Sequence, residues 1–439
     1  MRLAYVSYEY PPDTALGGIA TYVRQAARTM AGRGWSVEVF AASRGGTFTV
    51  DDDGVTVHRV GEPCNLAFAR AVAPLFEARH RESPFDVIEG PEYHADARVI
   101  NHRLPGLPLV VKMHTPSKLV EFVNRAEAPE GFRRRGRRVL AMPLRMGRHV
   151  LRAIGRRGIL DPVAIMAAGY GDGESRARLI DRLESNHARR ATIVAAPCRA
   201  LCEYARDEWR IDPGVLRLAP YPYQPPAGFL AIEPAINPEG RVVGFVGRLE
   251  RRKGIEVLVR SLPAVCQRYP DAIFRFVGGS LPHPETGIPY ADWIRRQLGS
   301  LSARCEFLGK VPLPEMHAAY AGIDVCVFPS RWENFPNVCL EAMAAARAIV
   351  GTAAGGMSEM LDGGRAGMVV PADDSQALAA AIIGLLADPV ERSRLGEAAR
   401  KRVLEQYNAG VIGAVMESIY REAIALSGAR QSAPPLTSR

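Results

Sequence analysis

Two glutamates, Glu333 and Glu341, stand eight residues apart in the segment PSRWENFPNVCLEAMA. Pro336 is typical of the first turn of a helix, so Glu333 precedes that helix and Glu341 lies in its second turn. Both carboxylates can then face one pocket and accept hydrogen bonds from sugar or ribose hydroxyls, while the amides between them can hold a phosphate. The alternative is that the two acids only complement the dipole at the start of the helix.

Two cations, Arg248 and Lys253, occur in VGRLERRKGIEVL, where a short apolar strand is followed by a helix. Positive charge in such a loop can neutralise a diphosphate, and arginine can bind it through paired hydrogen bonds. The alternative is a solvated charge cluster, and this is the interpretation we give to the neighbouring Arg251 and Arg252.

A glycine pair, Gly17 and Gly18, follows the first predicted strand and precedes a helix that opens at Ile19 and Ala20. Glycine lets backbone amides approach a ligand closely, and the N-terminus of a helix attracts an anion. For the pair taken alone, a tight turn is the alternative.

All these residues follow predicted strands in a chain that alternates short apolar strands with helix-length segments. The strands predicted in the N-terminal half are Leu3–Ser7, Val37–Ala41, Val87–Glu89, Leu109–Met113, Thr192–Ala195 and Leu216–Leu218. A second alternating series begins at VVGFVG, after a proline-rich segment. The predicted fold class is therefore α/β, with two doubly wound Rossmann-like domains facing a cleft, and ligands of such sheets bind beyond the carboxyl ends of the strands.

The length of 439 residues is too great for one ordinary core and fits two domains. We place an N-terminal acceptor domain at residues 1–220, a proline-rich linker at 221–238 and a C-terminal donor domain at 239–407. A helix at 408–426 either caps the second domain or crosses back over the cleft. Residues 427–439 are predicted to form a flexible tail.

Taken together, the motifs resemble the retaining glycosyltransferases of the GT-B type known as family 4. The resemblance covers most of the chain and is strongest in GRLERRKGIEVLV, FPSRWENFPNVCLEAMA and GTAAGGMSEML. It implies the GT-B fold and the transfer of a sugar, with retention of configuration, from a UDP-, GDP- or ADP-type sugar donor. The acceptor would be a hydroxyl of a carbohydrate or of a lipid-linked molecule. Neither a cofactor nor a metal ion is expected.

The resemblance also assigns roles to single residues. Arg248 and Lys253 should hold the donor diphosphate, and Glu341 should bind the ribose. Glu333 should contact the donor sugar as a catalytic residue, together with His114 at the end of the strand VVKMH. The other donor-binding positions implied by the resemblance are Gly17, Gly18, Val311, Asn334, Phe335, Pro336, Asn337 and Val338.

The chain departs from the family pattern at two places. The family often has Glu-Gly-Phe where Glu333-Asn334-Phe335 stand, which changes the loop that touches the sugar and leaves the identity of the donor open. It often has Gly and Pro where Ala346-Arg347 stand, a difference that we interpret as structural. Three other functions stay open: a nucleotide-sugar epimerase or a phosphorylase on the same architecture, and a non-catalytic nucleotide-sugar-binding protein. The presence of both glutamates and both cations favours the transferase.

An insertion at residues 115–187 is rich in arginine and has no acidic residue between Gly131 and Leu160. Apolar and basic residues fall on opposite faces of a predicted helix that Pro143 interrupts. This pattern is typical of a helix lying on an anionic membrane. A solvated basic face with its apolar side on the core is the alternative.

The net charge of +9 permits anionic partners, but no zinc-finger or RNA-binding aromatic motif is present, so nucleic acid is not expected. No run of roughly 18 apolar residues, as a membrane helix requires, occurs in the sequence. Seven cysteines without zinc-type spacing indicate reduced thiols. We therefore expect a cytoplasmic protein, with peripheral contact to the inner face of the membrane left open. The acidic run Asp51-Asp52-Asp53 beside Gly54 is predicted to be a turn rather than a metal site.

Overall fold

The computed structural model describes residues 1–14, 17–62, 64–124 and 173–432. Within these ranges the chain forms two α/β halves, each built on a largely parallel sheet. The alternation of buried side chains along β1 (Arg2–Ser7) shows that both faces of the first sheet are covered. Leu3 and Tyr5 belong to one apolar core, and Ala4 and Val6 belong to another on the opposite face. The predicted fold class is confirmed.

The N-terminal sheet has eight strands among the described residues, in the order β3-β4-β2-β1-β5-β6-β7-β8. The pairing of β3 with β4 is antiparallel and the others are parallel. The strands after β1 are β2 (Ser36–Ser43), β3 (Phe48–Asp51), β4 (Thr56–Gly61), β5 (Val87–Pro91), β6 (Leu109–Lys112), β7 (Ile193–Ala196) and β8 (Leu216–Leu218).

The C-terminal sheet has six parallel strands in the described part of the chain, in the order β11-β10-β9-β12-β13-β14. The parallel pairing of β12 with β9 places the loops that follow these two strands side by side, since the ends of neighbouring parallel strands lie at one edge. The strands are β9 (Val242–Val246), β10 (Ile273–Val277), β11 (Cys305–Gly309), β12 (Val325–Phe328), β13 (Ala348–Thr352) and β14 (Met368–Val370).

Helices connect the strands, as parallel pairing requires. Those of the N-terminal half are α1 (Gly18–Gly32), α2 (Asn65–Glu82), α3 (Arg98–Arg103), α4 (Ser117–Asn124), α5 (Gly173–Arg189) and α6 (Arg199–Asp207). Those that follow are α7 (Ala227–Leu230), α8 (Ile255–Arg268), α9 (Tyr290–Leu298), α10 (Met316–Ala321), α11 (Asn337–Ala344), α12 (Met357–Met360), α13 (Ser375–Ala387), α14 (Pro389–Gln406) and α15 (Ala409–Ser432). Among them, no helix has the length and apolar character needed to cross a bilayer.

The last helix, α15, packs against the N-terminal half. Tyr420 donates a hydrogen bond to buried Glu89 on β5 over 2.7 Å, and Glu417 forms a 2.6 Å ion pair with Arg33 at the end of α1. The helix continues to Ser432, past the predicted start of the tail at residue 427. Of the two alternatives for this helix, the contacts are those of a helix that crosses back.

The proline-rich segment at 221–238 is closely packed rather than loose. Tyr221, Tyr223 and Phe229 are buried, and the segment contains the short helix α7. The arginines on which the membrane hypothesis depends lie between α4 and α5, outside the described residues. That hypothesis stays a prediction from the sequence.

Candidate functional site

The loop after β9 is held against the loop after β12 by Gly254, which ends the short 3-10 helix Arg251–Lys253. Gly254 has a φ of 70°, and a Cβ at this position would lie 1.8 Å from the carbonyl oxygen of Pro329. Only glycine fits this close approach of two backbones. The approach brings Lys253 next to Glu333, although the two are far apart in the sequence.

Glu333 is a buried carboxylate surrounded by donors. Its Oε1 pairs with the ammonium of Lys253, lies 3.3 Å from Nη1 of Arg252, and accepts a 3.1 Å hydrogen bond from Ser330 Oγ. Its backbone oxygen accepts a 2.8 Å bond from the amide of Gly356. Burial alone would raise the pKa of Glu333, but Lys253 and Arg252 outweigh it and the pKa is lowered. Glu333 is therefore ionised at neutral pH.

The prediction that Arg251 and Arg252 form a solvated cluster is wrong, because both side chains are buried in ion pairs. Arg251 Nε lies 3.0 Å from Glu256, and its Nη2 lies 2.6 Å from Glu285. Arg252 Nη2 lies 2.9 Å from Glu250, in addition to its contact with the carboxylate described above. The physical reason is that a buried guanidinium needs hydrogen-bond acceptors, and here carboxylates of the same loop and of other segments supply them.

Arg248, in contrast, keeps half of its side chain exposed and lies 3.5 Å from Glu250. Its side chain is the most exposed among the cations of this loop, and its charge opposes the rise that burial causes in the pKa of Glu9 and Tyr93 of the N-terminal half. An exposed guanidinium between the two halves can take an anionic ligand without first losing a buried partner.

The start of α11 presents unpaired amides. Pro336, buried, immediately precedes the helix, and within the described residues the amides of Asn337 and Val338 have no acceptor. The side chain of Asn337 donates a 3.2 Å hydrogen bond to the carbonyl oxygen of Gly18 in the N-terminal half. The predicted donor-binding residues Gly18 and Asn337 are thus brought together, and the helix start can accept an anion.

Glu341, on the second turn of α11, has a very different environment from Glu333. It is partly buried, and its Oε2 accepts a 3.0 Å hydrogen bond from the hydroxyl of Tyr320. No cation within the described residues pairs with it. Burial raises the pKa of Glu341 to about 7, and the bond from Tyr320 opposes that rise.

His114 lies at the carboxyl end of β6 and contacts the loop after β12. Its carbonyl oxygen accepts a 2.7 Å hydrogen bond from Asn334 Nδ2, and its Nδ1 is 2.6 Å from the hydroxyl of Tyr221. Burial, with a smaller effect of Lys112, lowers the pKa of His114 to about 3, so the imidazole is neutral. The amide of Phe335 already donates to Asn334 Oδ1 over 2.5 Å, so this amide is occupied within the protein.

Two predicted positions have apolar side chains, and the ring of one of them, Phe335, meets that of Tyr221 edge-on at 5.6 Å. The side chain of Phe335 is buried and packs edge-on against Tyr407 at 5.0 Å between ring centres. Val311 follows β11 and packs, partly buried, against the main apolar core. The assignment of both residues to donor binding stays a prediction.

Sequence reasoning missed Glu9 and Tyr221. Glu9 is buried and its Oε2 accepts a 3.4 Å bond from the amide of Ala20, so a carboxylate of the protein occupies the start of α1 beside Gly17. Burial raises the pKa of Glu9, and the amides at the helix start oppose that rise. No spacing rule predicts an acid that accepts from a helix amide eleven residues later, and Tyr221 lies in a segment interpreted as linker.

The acidic run in the first half forms the predicted turn between β3 and β4. Asp52 accepts hydrogen bonds from Arg24 at 2.9 Å and from Arg28 at 2.5 Å. Although burial alone would raise it, these contacts lower the pKa of Asp52 to about 2. The carboxylate of Asp52 therefore forms an ion-pair cluster with the two guanidinium groups.

Two family models match consecutive parts of the chain. The model described as "Glycosyl transferase 4-like domain" matches residues 17–222, and the model described as "Glycosyl transferases group 1" matches residues 240–388. Together they span both halves and every predicted site residue.

Two of the proteins that the chain resembles in sequence are named as sugar transferases. A phosphatidyl-myo-inositol mannosyltransferase of Mycolicibacterium smegmatis is 36% identical over 184 residues, which are 42% of this chain and 45% of that protein. A D-inositol 3-phosphate glycosyltransferase of Pseudarthrobacter chlorophenolicus is 26% identical over 442 residues, covering 92% of this chain and 93% of that protein. For the first relatives, the matched stretch spans only 37% to 50% of the relative's own length.

The fold is shared with sucrose-phosphate synthase from Thermosynechococcus elongatus, with a TM-score of 0.69 and 23% identity over 97% of this chain and 99% of that one. At this identity the likeness concerns the fold. The two matching family models and the shared architecture show that this chain belongs to the family 4-like glycosyltransferases with the GT-B fold.

Proposed function

We propose that the protein transfers a sugar, with retention of configuration, from a nucleotide-diphosphate sugar to an acceptor hydroxyl. The observation that carries the proposal is the arrangement at the start of α11. There an ionised, buried Glu333 pairs with Lys253 and two amides at the helix start are unpaired in the described residues, while Asn334 and Asn337 bond to His114 and Gly18 of the N-terminal half. This arrangement offers an anion site and a sugar-hydroxyl acceptor within one cleft.

The leaving diphosphate needs positive charge that does not have to be generated during the reaction. Arg248 supplies a half-exposed guanidinium, and the amides of Asn337 and Val338 supply oriented dipoles. Lys253 can turn from Glu333 to a phosphate, because Arg252 remains beside Glu333 and keeps that carboxylate paired. The presence of Arg252 therefore makes Lys253 available to a ligand.

The donor sugar would lie between Glu333 and His114. An ionised carboxylate accepts hydrogen bonds from sugar hydroxyls and can fix the ring so that the anomeric carbon faces the acceptor. A neutral imidazole next to the ring avoids placing a second positive charge beside a sugar that becomes cationic as its bond breaks. Because Asn334 occupies the amide of Phe335, we expect fewer backbone contacts to the sugar here than the family pattern implies.

We propose a UDP-, GDP- or ADP-type donor and a carbohydrate or lipid-linked acceptor. The names of the two relatives make inositol derivatives the first acceptors to test. Catalysis is proposed to need no metal ion, since the cations named above already face the cleft. A cytoplasmic location with peripheral membrane contact fits a lipid-linked acceptor and stays part of the proposal.

The experiment is a thermal-unfolding screen against UDP-, GDP- and ADP-sugars, followed by product detection with the best donor and inositol or lipid-linked acceptors. A ligand at 100 times its Kd stabilises the folded protein by about 2.7 kcal/mol. Arg248→Gln should reduce the shift, while Arg260→Gln, an exposed arginine on α8, serves as the matched control.

The outcomes separate the alternatives. Transfer to an acceptor supports the proposal, and turnover of the donor without an acceptor would indicate an epimerase-like enzyme. Stabilisation by a donor without any turnover would indicate a nucleotide-sugar-binding protein. If no nucleotide sugar raises the unfolding temperature and no product forms, the proposal is refuted.

A further inference from the structure

A chain of hydrogen bonds connects the loop after β12 with the imidazole of His114. It begins at Asn334, the residue that stands where the family often has glycine, and passes through Tyr221 of the proline-rich segment. Asn334, Tyr221 and His114 are all buried, at 9%, 2% and 5% exposure. Buried polar groups of this kind must satisfy each other, so the direction of every bond can be worked out.

The orientation of the Asn334 amide is fixed by the backbone. The amide of Phe335 donates to Asn334 Oδ1 over 2.5 Å, so this atom must be the oxygen. Nδ2 then donates one hydrogen to the carbonyl oxygen of His114 at 2.7 Å and the other to the hydroxyl oxygen of Tyr221 at 3.1 Å. Both hydrogens of the amide are used, and Tyr221 receives a hydrogen rather than giving one to Asn334.

The hydroxyl hydrogen of Tyr221 has one acceptor in the described part of the chain, Nδ1 of His114 at 2.6 Å. If Nδ1 carried a proton instead, the buried hydroxyl would be left without an acceptor, at the cost of an unsatisfied donor. Burial raises the pKa of Tyr221 well above its ordinary value, so the hydroxyl keeps its hydrogen. Nδ1 is therefore the acceptor, and the proton of the neutral imidazole lies on Nε2.

We propose that Asn334 and Tyr221 are positioning residues that hold His114 as the Nε2–H tautomer, so that it presents a hydrogen-bond donor to an oxygen of the donor sugar. The inference rests on the proposed function for the identity of the ligand. Nε2 has no partner among the described residues, which leaves it as the nitrogen open to a ligand. A glycine, which the family often has at this position, has no side chain that could bond to Tyr221 and His114. These hydrogen bonds therefore depend on the asparagine of this chain.

The first test is spectroscopic and does not require turnover. The protein is labelled with 15N-histidine, and the NMR signals of His114 are assigned from their loss in His114→Gln. These signals should report an unprotonated Nδ1 and a protonated Nε2. Tyr221→Phe keeps the ring but removes the hydroxyl, and it should shift these signals toward a mixture of tautomers. Tyr204→Phe is the matched control, since it removes a buried hydroxyl that has no hydrogen-bond partner in the described structure. A proton on Nδ1 in the unmodified protein, or identical signals in Tyr221→Phe, would overturn the inference.

The second test is kinetic and uses the best donor of the screen. Tyr221→Phe and Asn334→Gly should each lower kcat about two- to tenfold while changing the donor KM less, since loss of a hydrogen bond changes the barrier by a modest amount. Tyr204→Phe should leave kcat unchanged. If both variants keep kcat in folded protein, the positioning role is refuted. If the unmodified protein has no transferase activity, the proposed function fails, whereas the tautomer is still decided by the spectrum.

Discussion

Replacing Glu341 by glutamine should make the ligand-free protein more stable at alkaline pH and its donor binding weaker. The side chain lies on the second turn of α11, where burial raises its pKa from the ordinary 4.5 to about 7 and Tyr320 is its hydrogen-bond donor. Glutamine keeps the size and the oxygen that accepts the bond from Tyr320. It removes the charge, which at high pH has no cation beside it.

The magnitude follows from linkage between proton binding and folding. Below about pH 4.5 Glu341 is protonated in both states and its charge has no effect on stability. Between about pH 4.5 and 7 the unfolded chain releases the proton while the folded protein retains it, so folded stability falls as pH rises. At about 1.4 kcal/mol for each pH unit, the full cost above pH 7 is about 3 kcal/mol. The advantage of Glu341→Gln should therefore grow from a small value at pH 5 to about 3 kcal/mol at pH 8.

The assay is calorimetric or urea unfolding of both proteins at pH 5, 6, 7 and 8, with the difference taken at each pH so that other titrating groups cancel. Glu239→Gln, at an exposed position before β9, is the matched control and should show no such trend. A stability difference that does not change with pH would refute the reasoning from burial.

The same variant tests the role of Glu341 in binding. If the carboxylate grips the ribose, which does not change during reaction, its loss removes binding that is equal in the ground and transition states. The donor KM should then rise roughly ten- to a hundredfold, as loss of a charge-assisted hydrogen bond predicts, while kcat changes little. An unchanged KM in folded protein would exclude the ribose role.

Three further predictions concern the charge of the site and of the insertion. Glu333→Gln should lower kcat by roughly ten- to a hundredfold and also lower the unfolding temperature, because Lys253 and Arg252 lose a shared buried carboxylate. Steady-state kinetics measure kcat and circular dichroism measures the unfolding temperature. A folded variant with normal kcat would contradict this prediction. Turnover should persist in EDTA, and a loss that manganese or magnesium restores would show a metal requirement. Co-sedimentation with anionic liposomes should fall with salt, since exposed charges are screened within about 10 Å at 0.1 M, and equal recovery with neutral vesicles would favour the solvated face. Binding should also weaken when glutamine replaces Arg145, Arg148, Arg152 and Arg156.

The sequence predicted the fold well because buried parallel strands have a strong local signature. The predicted strands Leu3–Ser7 and Val37–Ala41 correspond to β1 and β2, which lengthen by only a few residues at their ends. The weaker β14, Met368–Val370, was not predicted, since three residues without alternation carry little signal. Local pattern therefore identified the elements, and the parallel pairing followed from their alternation.

The sequence singled out candidate residues, but it did not predict the contacts between them. Glu333 and Lys253 were selected from separate segments, and their direct ion pair depends on Gly254 holding the two loops together. Arg252 was interpreted as solvated because neighbouring cations usually are, although Glu250 stands two residues before it, and the tertiary arrangement adds Glu333 as a second partner. Sequence gives residue types, whereas the contact of Lys253 and Arg252 with Glu333 depends on the tertiary fold.

Glu333 and Glu341 illustrate why spacing alone could not predict chemistry. Both are glutamates at the start of one helix, and burial would raise the pKa of either carboxyl. Glu333 meets Lys253, which lies 80 positions earlier in the chain, and its pKa is lowered. Glu341 meets the neutral hydroxyl of Tyr320, and its pKa rises to about 7. The carboxylate of Glu333 is thus ionised at neutral pH, while that of Glu341 changes its protonation near neutral pH. If Glu333 binds the donor sugar and Glu341 the ribose, as proposed, the donor affinity should depend on pH through Glu341 and not through Glu333.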